Sequence, residues 1–477
     1  MSGISARSLR GHVSFLASDT LQGRQTPSYG QDVAADYIAA QFRSAGLEPS
    51  GNEEYFQTQW VTEIRPNADG FRFCITGAGK TVEVPSANFS MSGIIEKRIE
   101  SAPVIKRSYI HAETWDSTSL AGTVVFAELP PLPADPYAWR EYFDERKELI
   151  DRLREPNPLM VVLVDRSSPE DLQYFSTNAL EPSDSRREKS AAAVPVAMIN
   201  GLAAIRYFDE MKEGSASAAL TMNLSKPRRA QRRLRNVIGL LRGSDPELHD
   251  TYVLLTAHYD GTGPAAGAPP GIVWNAANDN GSGVASIVEI AAALAAIPEK
   301  PKRSLVFMAF FGEEQGLLGA GFYGAHPIFP IERTIAAINL EQVGRTDSYE
   351  GNQKGRATLT GFDYSQVGDI LQLAGERFGI TVYKDSRASD RYFSLSDNQV
   401  LADLGVPAHT LSVALEFPDY HGAGDDWQAI DYENMAVTAR MTALAALMMA
   451  QSEKVPRWKD SNPRARRYIE AWKRMHP

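Results

Sequence analysis

Histidine and acidic residues follow several strongly apolar runs in the second half of the chain. They come within three residues of the ends of TYVLLTA, LVFMAFF and TIAAINL, or lie in NAANDNGSG and in the segment after AHTLSVAL. Imidazole and carboxylate groups at such positions can bind divalent metal ions or transfer protons. In chain order the residues are His258, Asp260, Asp279, Glu313, Glu314, Glu341, His421 and Asp425.

The composition of this set favours a metal site. Two imidazoles and several carboxylates, without a cysteine, suit zinc, manganese or iron. A single catalytic zinc needs three protein ligands and a water, so the set is larger than one ion requires. If two ions share one carboxylate, two histidines and three carboxylates give each ion three protein ligands. Glu313 and Asp260 are then left for roles other than metal binding.

The adjacent Glu313 and Glu314 can have different roles, because neighbouring side chains leave an extended strand end in different directions. One can bind a metal while the other faces the attacking water as a general base. Asp260 lies two residues after His258 and can orient its imidazole ring. This combination of groups predicts hydrolysis by water.

The elements that position these groups form an α/β pattern from Asn236 onward. Apolar runs such as TYVLLTA are typical of strands buried on both faces, and helical segments such as GVASIVEIAAALAAI separate most of them. The alternation predicts a mixed, mostly parallel sheet with helices on both faces. Because ligands bind outside the carboxyl ends of strands in such sheets, the polar residues should meet at one edge. Residues 4–48 add two amphipathic helices around a turn.

Residues 66–232 have a different pattern, with short β-like runs such as GTVVFAEL and one charged amphipathic helix. They predict a β-rich domain inserted into a main domain of residues 1–65 and 233–477. The insertion closes with KPRRAQRRLR. We interpret this stretch as a solvated linker and not as a nucleic-acid site, because the net charge of the chain is −10.

Composition excludes several other classes of protein. Of the 477 residues, 43% are hydrophobic and 23% are charged, which is typical of globular domains and excludes dominant disorder. The single cysteine, Cys74, excludes an intrachain disulfide and a thiolate metal site. No apolar run reaches the ~18–20 residues of a membrane span. The N-terminus lacks the apolar region of a signal peptide, which predicts a cytoplasmic protein, or a secreted or periplasmic one whose signal has been removed. The oligomeric state is left open.

In their order, the motifs resemble those of the di-zinc aminopeptidase family of metallopeptidase clan MH. That family includes bacterial leucyl aminopeptidases, glutamate carboxypeptidase and glutaminyl cyclase. The resemblance covers residues 236–477 and extends to 4–48. Its motifs are His258-Tyr259-Asp260, Ala276 to Asn280, Gly312 to Gly319, Asn339-Leu340-Glu341, Ser396-Asp397 and His421 with Asp425. Two residues depart from the family pattern: Ala276 replaces a glycine, and Glu341 replaces the commoner aspartate.

The resemblance implies a zinc-exopeptidase-like fold, two bound divalent metal ions, with Zn²⁺ as the expected metal, and a role for each residue. The metal ligands would be Asp279 as the bridge, His258 and Glu341 at one ion, and Glu314 and His421 at the other. Glu313 would be the general base, and Asp260 would orient His258. Residues 66–232 would be a protease-associated domain beside the cleft.

The function implied by the resemblance is hydrolysis of peptide bonds by an aminopeptidase that acts on peptides or N-terminal aminoacyl groups. Two alternatives remain: a glutaminyl cyclase-like acyltransferase with one zinc, and a non-catalytic receptor-like binding protein. The complete ligand set and Glu313 argue against both. We expect the remaining histidines to be structural, because no comparable group of acids surrounds them: His12, His111, His249, His326, His409 and His476.

Overall fold

The computed structural model describes residues 3–92, 95–109, 120–166, 179–182, 194–214, 216–263 and 271–476. These residues divide into two compact units. The first contains the described residues up to Gln59, from Arg233 to 263 and from 271 onward; the second contains those from Trp60 to Arg232. That residues 66–232 fold independently, and that they form a protease-associated domain, stay predictions. His111 lies outside the described residues.

The helices and strands have the following bounds. The helices are α1 (Ala6–Leu16), α2 (Tyr29–Ser44), α3 (Trp139–Arg154), α4 (Leu202–Glu210), α5 (Gly283–Ala295), α6 (Leu318–Ala325), α7 (Val367–Phe378), α8 (Asn398–Asp403), α9 (Tyr432–Gln451) and α10 (Arg466–Met475). The strands are β1 (Glu48–Pro49), β2 (Phe56–Arg65), β3 (Arg72–Gly77), β4 (Lys80–Glu83), β5 (Phe89–Ser92), β6 (Lys97–Arg107), β7 (Val124–Glu128), β8 (Met160–Val164), β9 (Ala179–Pro182), β10 (Val196–Ile199), β11 (Ala216–Leu224), β12 (Arg228–Leu241), β13 (Tyr252–His258), β14 (Ser304–Phe310), β15 (Thr334–Leu340), β16 (Asp347–Ser348), β17 (Gly351–Asn352), β18 (Arg356–Leu359), β19 (Thr381–Tyr383) and β20 (Ala408–Ser412).

The first unit is organised around a sheet in which the strands follow the order β19-β18-β20-β15-β13-β14-β12. β13 is parallel to β14 and β15, and β15 is parallel to β20. β12 is antiparallel to β14, and β18 is antiparallel to β20. The sheet is therefore mixed with a parallel centre, and the predicted fold class is confirmed.

The central strands of this sheet are buried on both faces. Every residue of β13, β14 and β15 is buried. Successive residues of β14 face opposite sides: Phe307 packs against Phe42 of α2, whereas Val306 and Met308 join a cluster with residues of α6 and α8. Cover on both faces explains why these strands are continuous apolar runs without polar alternation.

The helices begin at polar capping residues that the sequence supplies. Ser5 accepts a hydrogen bond from the backbone N–H of Ser8 at the start of α1, and Ser28 caps α2 in the same way. Both helices lie within residues 4–48, where two amphipathic helices are predicted. Among the described residues, no helix combines the length and the apolar character needed to cross a membrane.

The second unit is rich in β-structure, as the short apolar runs predict. Its eight-stranded sheet has the order β4-β3-β11-β6-β7-β8-β10-β5. One apolar cluster contains Phe126 and Phe208, and another contains Val125 and Leu153. Phe126 and Val125 are neighbours on β7, so the two clusters lie on opposite faces of this sheet.

Much of KPRRAQRRLR is solvated, as interpreted, but from Arg228 onward its backbone forms a strand and not a linker. This stretch contributes the first part of β12, although its residues 228–233 have exposed side chains. Arg232 pairs at 2.7 Å with Glu63, a fully buried carboxylate that also pairs with Arg65. The charge of the arginines indicates that their side chains are solvated, which does not prevent their backbone from forming a strand.

Candidate metal centre

The structure brings all the predicted site residues to the carboxyl edge of the parallel strands. The groups lie at or beyond the ends of β13, β14, β15 and β20 and ahead of α5. They are His258, Asp260, Asp279, Glu313, Glu314, Glu341 and His421, with Asp425 beside them. Parallel neighbours end at the same edge of a sheet, which is why segments so distant in sequence meet here.

Asp279 lies between two histidines and contacts one with each carboxylate oxygen. Its Oδ1 is 3.2 Å from Nε2 of His258, and its Oδ2 is 3.0 Å from Nε2 of His421. Nε2 of His421 is also 3.3 Å from Oε2 of Glu314. The potential ligand atoms form one group with Glu341 and another with Glu314, each within 4.8 Å, and Asp279 belongs to both. This arrangement suits a carboxylate that bridges two ions.

The buried polar atoms of these residues fit two cations. Nε2 of His258, Oδ1 of Asp279, Oε1 of Glu314 and Oε2 of Glu341 are buried without a hydrogen-bond partner. A buried polar atom that lacks a partner costs free energy, so such atoms are rarely left unsatisfied. Because they converge and are all acceptors or imidazole nitrogens, divalent ions would satisfy them together.

The electrostatics of the cluster also favour a cation. Burial raises the pKa of Glu314, and burial raises the pKa of Glu341 to about 7. Burial acts in the same direction on Asp279, but its interactions with the His258 and His421 rings outweigh burial and hold the pKa of Asp279 below its ordinary range. Several buried carboxylates thus lie close together, and a divalent ion between them would reduce their mutual repulsion.

We expect this centre to hold two divalent ions in each chain. Five side chains form two groups that share Asp279, which gives each ion three protein ligands. Elemental analysis of protein purified without chelators should approach two ions per chain. A content that stays at one or below after zinc supplementation would contradict the two-ion arrangement.

Glu313 lies beside the two ligand groups and faces a cavity. Its carboxylate is also within 4.8 Å of ligand atoms of His258 and Glu314, but the five other residues already complete both groups. Burial raises the pKa of Glu313 well above its ordinary value, and the nearby Glu341 reinforces the shift. A carboxylate with a raised pKa can retain a proton taken from water, which is the property of a general base.

The two adjacent glutamates lie in a turn, and not at an extended strand end as predicted. β14 ends at Phe310, and Glu313–Gln315 form one turn of 3-10 helix. Gly312 before it has φ 66°, a left-handed conformation that favours glycine. An extended backbone is therefore not what separates their roles, and an oxygen of each carboxylate lies within 4.8 Å of the other in a group with His258. The separate roles stay a prediction.

Asp260 occupies the position predicted for a residue that orients His258. Its Oδ1 lies 3.5 Å from Nδ1 of His258, longer than a hydrogen bond but close enough for electrostatic attraction. The same carboxylate accepts hydrogen bonds from the Glu313 backbone N–H at 3.1 Å and from Thr26 Oγ1 at 3.0 Å. Asp260 thereby joins His258 to the backbone of Glu313.

Asp425 supports the bridging residue through the backbone. Its two carboxylate oxygens accept hydrogen bonds from the N–H groups of Asn278 at 2.8 Å and Asp279 at 3.0 Å. Burial raises the pKa of Asp425 to about 7 in spite of these bonds. His421 and Asp425 therefore both hold Asp279. His421 contacts its side chain, and Asp425 accepts the hydrogen bond from its backbone N–H.

The backbone explains one departure from the family pattern. Ala276, where the family has glycine, has φ 52° and ψ 50°, in the left-handed region. Glycine adopts this conformation without strain, and alanine adopts it at some cost. His421 also has a positive φ, 51°. Two loops of the metal centre thus contain strained residues, as functional sites often do.

Asp397 and most residues around the cavity are functional candidates without a predicted role. Asp397 is fully buried with neither carboxylate oxygen hydrogen-bonded, and burial raises its pKa to about 8. The Ser396-Asp397 pair was the only sequence signal. The cavity has a volume of about 430 Å³ and adjoins Glu313, Glu314 and Glu341. Its other walls are Gly316, Leu317, Gln342, Thr360, Tyr392, Ser394, Leu395, Ser396, Thr410, Leu415 and Tyr420.

His409 is structural, as predicted. It is fully buried, and its ring nitrogens contact Ser365 Oγ at 2.6 Å and the Thr360 carbonyl at 2.8 Å. Burial lowers the pKa of His409 to about 4, so the ring is neutral at physiological pH. Neither contact involves the metal centre.

Comparison with known proteins agrees with the order of the motifs. Residues 236–446 match the family model of peptidase family M28. This confirms the resemblance that the motifs indicate. The M28 segment contains every residue of the proposed ligand set.

Curated relatives align with part of the chain only. A vacuolar membrane protease of Verticillium alfalfae is 31% identical over 175 residues, which cover 36% of this chain and 15% of that protein. The aminopeptidase YwaD of Bacillus subtilis is 27% identical over 235 residues, 46% of each protein. The chain thus spans less than half the length of these relatives.

Solved structures share the fold over nearly the whole chain. An aminopeptidase from Aneurinibacillus sp. strain AM-1 has a TM-score of 0.64 at 18% identity, with 95% of this chain and 96% of that chain covered. BSAP, a zinc aminopeptidase from Bacillus subtilis, has a TM-score of 0.61 at 18% identity, with 95% and 97% covered. At these identities the likeness establishes the fold.

Proposed function

We propose that this protein is a zinc-dependent exopeptidase, specifically an aminopeptidase, that hydrolyses peptide bonds with water. The observation that carries the proposal is the pair of ligand groups that share Asp279, with Glu313 beside them at a cavity. The match to peptidase family M28 and the aminopeptidase and zinc aminopeptidase names of similar proteins support it.

The chain's own residues divide the work of hydrolysis. His258 and Glu341 would hold one ion, Glu314 and His421 the other, and Asp279 both. When bound, two divalent ions polarise the scissile carbonyl and lower the pKa of water. Glu313 accepts a proton from the attacking water, while the water oxygen forms a bond to the carbonyl carbon. The same carboxyl group then delivers the proton to the leaving nitrogen as the carbon–nitrogen bond breaks.

The cavity lacks a cationic side chain for the carboxyl end of a peptide. Of the three glutamates that line it, Glu314 and Glu341 are proposed metal ligands, and none of the residues that line it in the described part of the chain is lysine or arginine. A free α-carboxylate requires a cationic side chain as its partner, whereas an α-amine does not. We therefore place a substrate's N-terminal amine, and not its C-terminal carboxylate, in this cavity.

We expect the purified protein to hydrolyse leucine p-nitroanilide, and to act on its N-acetylated form at least roughly tenfold more slowly because the ammonium group is lost. A chelator should abolish the activity and zinc should restore it. Glu313→Gln protein purified in parallel is the control for contaminating peptidases. Equal rates on the blocked and free substrates would contradict the aminopeptidase assignment. Release of the C-terminal residue from an N-blocked dipeptide would show that the protein is a carboxypeptidase and not an aminopeptidase.

A further inference from the structure

Arg24 is a fully buried arginine beside the metal centre, on a segment that supplies none of the ligands. Its side chain has no exposed area. No carboxylate oxygen in the described part of the chain lies within 4.0 Å of its guanidinium nitrogens. A buried charge without a close counter-ion is costly, so its surroundings must compensate for it in another way.

The guanidinium group donates all its hydrogen bonds to backbone carbonyls. Nε donates to Tyr259 at 2.8 Å, Nη1 to Asn275 at 3.0 Å and to Leu16, and Nη2 to Ala276 at 2.8 Å. The planar fork of arginine fixes several acceptors in a defined relative position, which a lysine cannot do. One side chain thus connects the end of α1 to two separate loops.

Both of these loops carry proposed metal ligands. Tyr259 lies between His258 and Asp260, and Ala276 lies three residues before the bridging Asp279. Arg24 therefore connects the backbone beside His258 to the backbone that leads to Asp279, and it forms no hydrogen bond or ion pair with either side chain.

The backbone around Arg24 adopts a conformation that requires external support. Gln22, Gly23 and Arg24 have φ values of 47°, 72° and 56°, three consecutive left-handed residues. A Cβ atom on Gly23 would lie 2.2 Å from the carbonyl oxygen of Trp274. This segment is pressed against the loop that leads to Asp279, and strained backbone of this kind persists where its surroundings hold it in place.

The charge of Arg24 acts on the acids of the centre from a distance. Burial lowers its pKa to about 10, and the surrounding carboxylates, with Asp260 the strongest, act in the opposite direction. The group therefore remains charged at neutral pH. Because its donors are directed at carbonyls, it offsets part of the negative charge without occupying the oxygens that metal ions need.

We propose that Arg24 is a positioning residue of the metal centre, which holds the Tyr259 and Ala276 carbonyls so that His258 and Asp279 can bind ions together. Its effect on turnover rests on the proposed peptidase function. Its effect on metal affinity does not, so the two can be tested separately.

The test compares Arg24→Lys with Arg303→Lys. Arg303 is a matched control, because it is 2% exposed and donates to the carbonyls of Ser452 at 3.2 Å and Glu453 at 3.1 Å. It directly precedes β14, at the edge of the sheet opposite the metal centre. Each variant retains a positive charge and loses the arginine fork.

The readouts are the two zinc dissociation constants from chelator competition, kcat and KM at saturating zinc, and thermal unfolding. Arg24→Lys should weaken zinc binding ~10–100-fold and lower kcat more than it raises KM, whereas Arg303→Lys should keep zinc affinity within about twofold at a similar loss of stability. Equal zinc affinities in both variants and the wild type, or equal losses in both variants, would overturn the proposal. A wild-type protein without peptidase activity would refute the proposed function but leave the zinc comparison valid.

A measurement on the wild type covers the case in which Arg24→Lys does not fold. If Arg24 holds the ligand loops, bound ions must in turn stabilise the segment that carries Arg24, because such coupling is reciprocal. Zinc should therefore slow amide hydrogen exchange in peptides that cover residues 19–26, which contain no ligand, and leave those around Arg303 unchanged. Unchanged exchange at residues 19–26, with protection at the ligand loops, would contradict the coupling.

Discussion

Replacing Glu313 by glutamine should lower kcat by ~10²–10⁴-fold or more while both metal sites remain filled. Glutamine keeps the size and polarity of the side chain but cannot accept a proton from water. The loss should reach this range because the carboxylate acts twice, first as the base and then as the acid that protonates the leaving amine. Metal content is expected to stay near the wild-type value, because five other residues complete the two ligand groups. The measurement is kcat together with metal analysis of the same preparation.

Glu314→Gln is the natural control, because it makes the identical chemical change at the next residue. Oε2 of Glu314 lies 3.3 Å from Nε2 of His421 within one ligand group. Loss of the Glu314 charge should therefore weaken the binding of one ion, and added zinc should restore part of the activity. If Glu313→Gln loses metal while Glu314→Gln retains both ions and loses only turnover, the two roles are reversed.

Asp279→Asn should deplete both ions, since Asp279 is the only residue that belongs to both ligand groups around it. An amide keeps one acceptor oxygen and places an N–H₂ donor where the second ion requires an anion. The loss of zinc affinity should exceed the ~10–100-fold that removal of an outer partner of a ligand costs. Activity should fall with it and return poorly on addition of zinc.

Asp245→Asn is the matched control for this experiment. Asp245 accepts backbone hydrogen bonds from Glu247 and Leu248 in a turn before β13, at the end of the strand opposite His258. It should bind zinc as the wild type does. An Asp279→Asn protein that still holds two ions at wild-type affinity would exclude Asp279 as the bridge.

The sheet and the convergence of the candidate ligands could be predicted from the sequence because one physical constraint determines both. Strands buried on both faces must be apolar throughout, so a histidine or carboxylate in such a pattern marks the point where a strand emerges from the core. His258 and Glu341 are of this kind. Because parallel strands end at the same edge, these residues can be predicted to lie close together even when no side-chain contact is known.

Other features could not be predicted because they depend on tertiary contacts that leave no local pattern. Arg24 lies in a polar, turn-forming segment, so its sequence context is that of a solvated residue. In the structure it is buried and donates to carbonyls of three other segments. The cavity wall combines residues as distant as Leu317 and Tyr420. The first part of the strand Arg228–Leu241 could not be predicted, because its exposed arginines hide the β-conformation of the backbone.

The proposed ligands span positions 258 to 421. Because they are so far apart in sequence, the amount of folded protein should depend on the supply of metal. An unfolded chain cannot gather side chains so far apart, so the ions bind almost exclusively to the folded state. By mass action, an ion present at a hundred times its dissociation constant then adds about 2.7 kcal/mol to the free energy of unfolding. Without ions the clustered carboxylates repel one another and lower that free energy. Scarcity of metal would therefore reduce the abundance of the protein as well as its turnover, because molecules without ions unfold more often and are exposed to proteolysis.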